Sequence, residues 1–182
     1  EVLKGPQGVL YGGSNIGGAV KFISTRPSPD ETTGHIKLMA GEQSSTDVEG
    51  SINLPIGNEW AVRLFAFTRE DDGFMYNPTT DDDSVAGYEE SGGRISIAGP
   101  LSDNLSLYAS LRTNQYDGPN NNWALERGTP PNFDYPYIND IETPSNNDKE
   151  TYGASLELVW ELDGFDVTSI TSYTDTDAKR LT

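Results

Sequence analysis

The sequence predicts an all-β chain in which a short glycine-rich sheet segment is followed by about seven antiparallel strands of a transmembrane β-barrel. Three observations carry this. Apolar and polar residues alternate at period two, several alternating runs are long, and tight turns alternate with long connections.

The alternation is clearest in three runs. Trp60, Val62, Leu64 and Ala66 share one face of a strand, and Ala61, Arg63, Phe65 and Phe67 the other. Leu105, Leu107, Ala109 and Leu111 alternate with Ser106, Tyr108, Ser110 and Arg112. Tyr152, Ala154, Leu156, Leu158 and Trp160 alternate with Gly153, Ser155, Glu157, Val159 and Glu161. Weaker versions run through Ile36, Leu38 and Ala40, through Val48, Gly50, Ile52 and Leu54, through Ile95 and Ile97, and through Phe165, Val167 and Tyr173.

Length separates a membrane strand from one in a soluble sandwich. Trp60 to Asp71, Leu105 to Tyr116 and Thr151 to Leu162 approach or exceed the ~9 to 11 residues that a tilted strand needs to cross the hydrocarbon. Ordinary strands cluster near 5 or 6. Tight turns are expected at Gly57-Asn58, Ser102-Asp103-Asn104 and Asp163-Gly164, and long loops at Asp72 to Ser91 and Asp117 to Glu150. In a meander these fall at opposite ends of the sheet. Trp60, Trp160 and Phe165 sit beside the tight turns, and Tyr152 and Tyr173 near the far ends of their strands, as two interfacial aromatic girdles require.

The first residues follow another pattern. Val2 and Leu3 form a short strand that Gly5 and Pro6 end, since proline lacks the ladder donor. After Val9 to Tyr11, the run Gly12, Gly13, Ser14, Asn15 is turn chemistry, Gly17 and Gly18 permit close backbone approach, and Ala19 to Ile23 resume as strand. A phosphate-binding loop is rejected because no Gly-Lys-Ser/Thr follows and the next element is not a helix. Pro27 to Thr33 read as a linker.

Composition removes other classes. There is no cysteine, so no disulfide scaffold or thiolate metal site. A net charge of -17 with no basic cluster argues against nucleic acid as a partner. No stretch of about twenty apolar residues could form a membrane helix, a test that barrels escape. His35 is the only histidine and lies on a polar strand face, so it is expected to be a solvated or satisfied residue rather than part of a triad. Glu157 and Glu161, four strand residues or roughly 13 Å apart, are too distant for a glycosidase pair. Asp81, Asp82 and Asp83 lack the spacing of a calcium loop. No catalytic, metal or cofactor site is assigned.

The segment EVLKGPQGVLYGGSNIGGAVKFISTR, Glu1 to Arg26, resembles the end of the plug of TonB-dependent outer-membrane receptors. The later segments GHIKLMAGE, VEGSINLPI, WAVRLFAFTREDDGFMYN, GRISIAGPLSDNLSLYASLRTNQYDG and GASLELVWELDGFDVTSITSYTD resemble that family's early barrel strands in order and spacing. The resemblance implies that residues 1–29 are the end of the plug with its linker and that residues 30–182 begin a barrel of about 22 strands. The chain is therefore expected to be a fragment lacking the signal, the TonB-binding box and the later strands.

The resemblance also implies that Glu1, Lys4, Gly5, Pro6, Gly8, Tyr11, Gly12, Gly17 and Gly18 form a plug motif with structural and gating roles. Glu1 and Lys4 would pair with wall charges such as Arg63, Arg112 or Glu157, and a side chain at Gly12, Gly17 or Gly18 would strain or clash. The acidic long loops would be extracellular, with Tyr76, Tyr88, Trp123, Phe133, Tyr135 and Tyr137 as contacts for an incoming ligand. Implied partners are outer-membrane lipid, the TonB-ExbB-ExbD complex and a scarce solute such as a ferric siderophore, the iron being cargo and not a cofactor. Members of the family carry siderophores, cobalamin, haem or saccharides, so the resemblance leaves the solute open. Two other readings stand beside it: a soluble all-β binding or adhesion module, and a carbohydrate-active enzyme.

Overall fold

The computed structural model describes residues 2–6, 17–20, 22–42, 44–119 and 146–181. Two short strands, β1 (Val2–Lys4) and β2 (Gly18–Val20), pair antiparallel. The other described strands form one seven-stranded sheet: β3 (Thr33–Ala40), β4 (Thr46–Ile56), β5 (Trp60–Asn77), β6 (Asp82–Ser102), β7 (Leu105–Pro119), β8 (Asn146–Leu162) and β9 (Phe165–Leu181). Each strand pairs antiparallel with the next in chain order, so the sheet is a pure meander.

The three expected tight turns are present and lie at one end of the sheet. Between the paired residues Leu162 and Phe165, Gly164 takes φ +90, a left-handed conformation that a side chain would oppose.

Strand ends depart from expectation. The stretch Asp72 to Ser91 is not a loop: β5 runs on to Asn77 and β6 starts at Asp82, leaving a turn of four residues. The ladder there is irregular, with register shifts around Met75 and positive φ at Gly73, Asp81 and Ala86. Bulges of this kind let a polar, glycine-containing sequence stay paired without strict alternation. Likewise β7 reaches Pro119 and β8 begins at Asn146, inside the expected second loop. The strand expected over Ala19 to Ile23 stops at Val20, and Thr33 belongs to β3, not to the linker.

Register fixes two faces. On the apolar face, Ile52, Leu64, Ile95, Leu111, Ala154 and Tyr173 form one row across six strands, and Leu54, Val62, Ile97, Ala109, Leu156 and Thr171 form the next. From the row of Ile56 and Trp60 to that of Ile52 and Tyr173, no described residue of this face is charged in any strand; the next row, that of Gly50 and Tyr152, ends on Asp175 in β9. These side chains are open: Leu38 is 71% and Leu111 59% exposed, where a sandwich would have covered them. The sheet is one layer thick, and Ala61, Met75 and Ala86 are the buried apolar residues among those described.

Large side chains lie over glycines of the neighbouring strand. A Cβ at Gly99 would collide with the Trp60 indole, one at Gly92 would stand 2.9 Å from Phe67, and one at Gly118 would stand 2.6 Å from Tyr88. The glycines thus leave the space that these rings fill.

Candidate functional site

The polar face holds the chemistry, and its first feature is a clamp on the linker. Arg26 donates from Nη2 to both carboxylate oxygens of Glu157 in β8, each at 2.8 Å, and its guanidinium lies 4.9 Å from the centre of the Tyr108 ring. Glu157 is only 17% exposed beneath it, which favours a geometrically defined pair over a solvated one. Asn53 of β4, 2% exposed, accepts from the Ser28 amide at 3.0 Å and donates to the Ser28 and Glu31 carbonyls at 2.8 Å each. One side-chain amide therefore satisfies three backbone groups that no strand serves.

Higher on this face, toward the long hairpin, Arg69 gathers carboxylates. It approaches Glu90 at 3.2 Å, Asp47 at 3.6 Å and Glu49 at 4.0 Å, and its guanidinium stands 4.6 Å from the Phe67 ring centre. Lys37 reaches Asp47 at 3.4 Å, and the Asn114 amide donates to Glu90 at 2.9 Å. His35 does face this side, with Nδ1 2.9 Å from the Ser51 hydroxyl, to which Arg63 donates at 2.7 Å. Between this cluster and the clamp, Arg94 of β6 lies directly opposite Arg112 of β7. The row below is small and polar: Ser96, Ser110, Ser155 and Ser172 line up across four strands, with the Ser110 and Ser155 hydroxyls 2.9 Å apart.

The β5–β6 tip is held by its own side chains. Asn77 Oδ1 accepts from the Thr79 amide at 2.9 Å, and Tyr76 donates to Asp81 at 3.0 Å. Hydrogen bonds from the Ser84 hydroxyl, at 2.6 Å, and from its amide hold the Asp82 carboxyl below its usual value. Of the expected ligand contacts, Tyr76 is committed to Asp81, and Tyr88 is stacked on Tyr116 with ring centres 6.0 Å apart. Trp123, Phe133, Tyr135 and Tyr137 lie outside the described residues.

The expected girdle residues Trp60, Tyr152, Trp160, Phe165 and Tyr173 all stand on the apolar face. Tyr152 and Trp160 are eight residues apart on β8, as are Phe165 and Tyr173 on β9. At ~3.3 Å per residue that is about 26 Å along each strand.

In the first segment, Gly5 has φ +84 and ends β1 before Pro6 as expected. The steric reason given for Gly18 holds: it has φ +132, and a Cβ would strike the Leu3 carbonyl. For Gly17 no such contact is found among the described residues, none of which lies within 4 Å of a Cβ there. Glu1, Gly8, Tyr11 and Gly12 lie outside the described residues. Glu157 is occupied by Arg26, a partner that the sequence reading did not consider for it, and Arg63 and Arg112 bond hydroxyls. The bond from Arg26 also removes Glu157 from any pairing with Glu161. Asn53 and Arg26 were missed; the one signal was a polar amide standing among Ile52, Leu54 and Pro55.

No protein-family model matches the chain. It is 38% identical over 72 residues to the ferrioxamine receptor of Yersinia enterocolitica, a match covering 40% of this chain and 10% of that protein. It is 32% identical over 100 residues to the pesticin receptor of Yersinia pestis, covering 53% of this chain and 14% of the other. Its fold overlays the crystal structure of the ferric yersiniabactin uptake receptor FyuA from Yersinia pestis with a TM-score of 0.82 at 20% identity, over 98% of this chain and 28% of that one. The chain thus spans well under a third of the length of these relatives, which are receptors by name.

Proposed function

We propose that this chain, a stretch of a TonB-dependent outer-membrane receptor, serves the energy-coupled import of a scarce, large solute, with a ferric siderophore as the first candidate. The observation that carries this reading is the division of the sheet into an open, uncharged apolar face and a face of paired charges. Lipid on one side and a polar lumen on the other satisfy both. With the tight turns toward the periplasm, the β5–β6 hairpin stands outside the cell, and the two aromatic rows lie at the two interfaces.

In this reading residues 1–29 are the end of the plug and its linker, and residues 30–182 the start of the barrel. Glu1, Lys4, Gly5, Pro6, Gly8, Tyr11, Gly12, Gly17 and Gly18 belong to the plug motif, with Gly18 the position that packing makes intolerant. The linker clamp holds the end of the plug against the wall while TonB, acting with ExbB and ExbD on a segment outside this chain, displaces the rest. Tyr76, Tyr88, Trp123, Phe133, Tyr135 and Tyr137 are the candidate ligand contacts at the mouth, and iron enters only as cargo. The related proteins are receptors, and no step of covalent chemistry is assigned to this chain.

The test is uptake by cells carrying the full-length protein, with radiolabelled ferric ferrioxamine and ferric yersiniabactin as probes. Accumulation that disappears on deletion of tonB supports the reading. A full-length protein that extracts from cells without detergent, or uptake indifferent to tonB, overturns it.

A further inference from the structure

On the apolar face the space over Gly99 is filled by the protein's own Trp60 indole. Over Ala109 of β7 and Ala154 of β8 the face is left open. These two residues lie in adjacent rows, diagonal to one another, with Leu111 and Leu156 on the crossing diagonal. Together with Ile95 and Tyr173 they line a groove of about 540 Å³, within the ~300 to 1,000 Å³ typical of ligand sites. Leu111 and Tyr173 are 59% and 66% exposed, so neither closes over the alanines. The groove belongs to the face turned away from the paired charges, where no group of the lumen side can reach it.

Depth decides which chemistry can enter. Leu156 is four residues from Tyr152 and four from Trp160, about 13 Å along β8 from each aromatic row. A groove midway between two interfacial girdles meets hydrocarbon and no headgroup. Lipid tails are as apolar as leucine, so the hydrophobic effect does not distinguish this groove from the open bilayer. Contact does: a chain lying in it touches side chains beneath and on both flanks, where a flat wall offers one side only. The two ends of the groove differ in charge. Beyond Tyr152 and Tyr173 stand Glu150, Asp175 and Asp177, which repel a lipid phosphate. From the groove to the tight turns no described strand residue of this face is charged.

We propose that the groove over Ala109 and Ala154 seats one acyl chain of a phospholipid, which enters from the leaflet on the tight-turn side. This rests on the reading above that the apolar face meets lipid. The chain gives the two alanines the covering contact that Trp60 gives Gly99, and its headgroup lies at the level of Trp160 and Phe165. It is held by shape and dispersion alone, so its preference over ordinary boundary lipid is modest and is lost when the groove is filled.

The test is photolabelling of the full-length protein in vesicles of phosphatidylethanolamine and phosphatidylglycerol. The vesicles carry a trace of phosphatidylethanolamine with a diazirine at the end of one acyl chain, and adducts are mapped by mass spectrometry. Leu64 and Ser169 stand four residues from Trp60 and Phe165, as Leu156 stands from Trp160, and neither lines the groove. They report boundary lipid at matching depth. In wild type, adducts are expected to be several-fold denser on Ala109 to Leu111 and Ala154 to Leu156 than on these controls. Joint replacement Ala109→Leu and Ala154→Leu fills the groove and should even out the labelling, whereas Ala66→Leu, on the same face outside the groove, should leave it unchanged. Equal labelling of groove and controls in wild type means boundary lipid only and overturns the proposal, and this comparison decides the case by itself if the filled variant does not assemble. A preference that survives filling the groove overturns it too, as does labelling of the controls with none in the groove, which would seat a protein segment there. Absence of adducts on every strand overturns the lipid-facing reading itself, an outcome distinct from the others.

Discussion

Replacing Asn53 by alanine isolates the linker clamp from the rest of the fold. Asn53 makes three hydrogen bonds of 2.8, 2.8 and 3.0 Å to linker backbone and is 2% exposed, so no water replaces it without rearrangement. At a net ~1 kcal/mol for each bond, the free energy that holds residues 28–31 against β4 falls by about 3 kcal/mol. A decade in population costs about 1.4 kcal/mol, so exchange of the Ser28 amide through local opening should accelerate roughly a hundredfold. The assay is hydrogen–deuterium exchange on the full-length protein, with the β4–β5 ladder amides as an internal standard for an assembled sheet. Asn53→Asp keeps the acceptor for the Ser28 amide but turns a carboxylate oxygen toward two carbonyls, and should loosen the linker as well. If Ser28 in Asn53→Ala exchanges within about twofold of wild type while the β4–β5 ladder remains protected, the clamp does not hold the linker and the reasoning fails.

Further outcomes follow from the faces and the close contacts. Leu156 sits mid-row on the apolar face between Ala109 and Thr171, so Leu156→Arg should cost ~2 to 4 kcal/mol in a bilayer refolding titration, with Ser155→Arg on the opposite face costing less; equal losses would invert the assignment of inside and outside. Gly18→Val should break the β1–β2 pairing, seen as faster exchange of its amides and as lower uptake or raised passive leakage, whereas Gly17→Val should change neither. Because its folded pKa is depressed, the Asp82 carboxylate contributes stability to the hairpin tip above the ordinary carboxylate pKa of 3.8, and this is lost as pH falls through the lowered value. Asp82→Ala should therefore speed exchange at the Ser84 amide at neutral pH, with the difference from wild type shrinking in strong acid.

Much of the sheet was legible because a barrel strand declares itself through one property, alternation. Leu105 to Arg112 and Tyr152 to Glu161 carry it without interruption, and their register follows. Beyond the apolar band nothing demands an apolar partner. Asp72 to Asn77 and Asp82 to Ser91 therefore read as loop although both remain laddered, with register shifts on either side of Met75. The clamp was illegible for a different reason. Arg26 and Glu157 are separated by 131 positions, and only the curvature and register of the finished sheet bring them together. The sequence assigned no role to Gly99 or Gly118, whereas the structure uses each as a seat for an aromatic side chain from a neighbouring strand or its own.

Arg26 and Ser28 fix one end of a tether whose other end is the last paired residue of β2, Val20. Six residues of extended chain span at most ~20 Å. The β1–β2 hairpin can therefore swing within a sphere of about that radius centred on the wall at Glu157 without disturbing either anchor. Motion beyond it requires the bidentate pair to part first. The clamp thus sets a distance threshold: displacements inside the radius leave the Arg26–Glu157 pair intact, and a larger pull is opposed at one carboxylate.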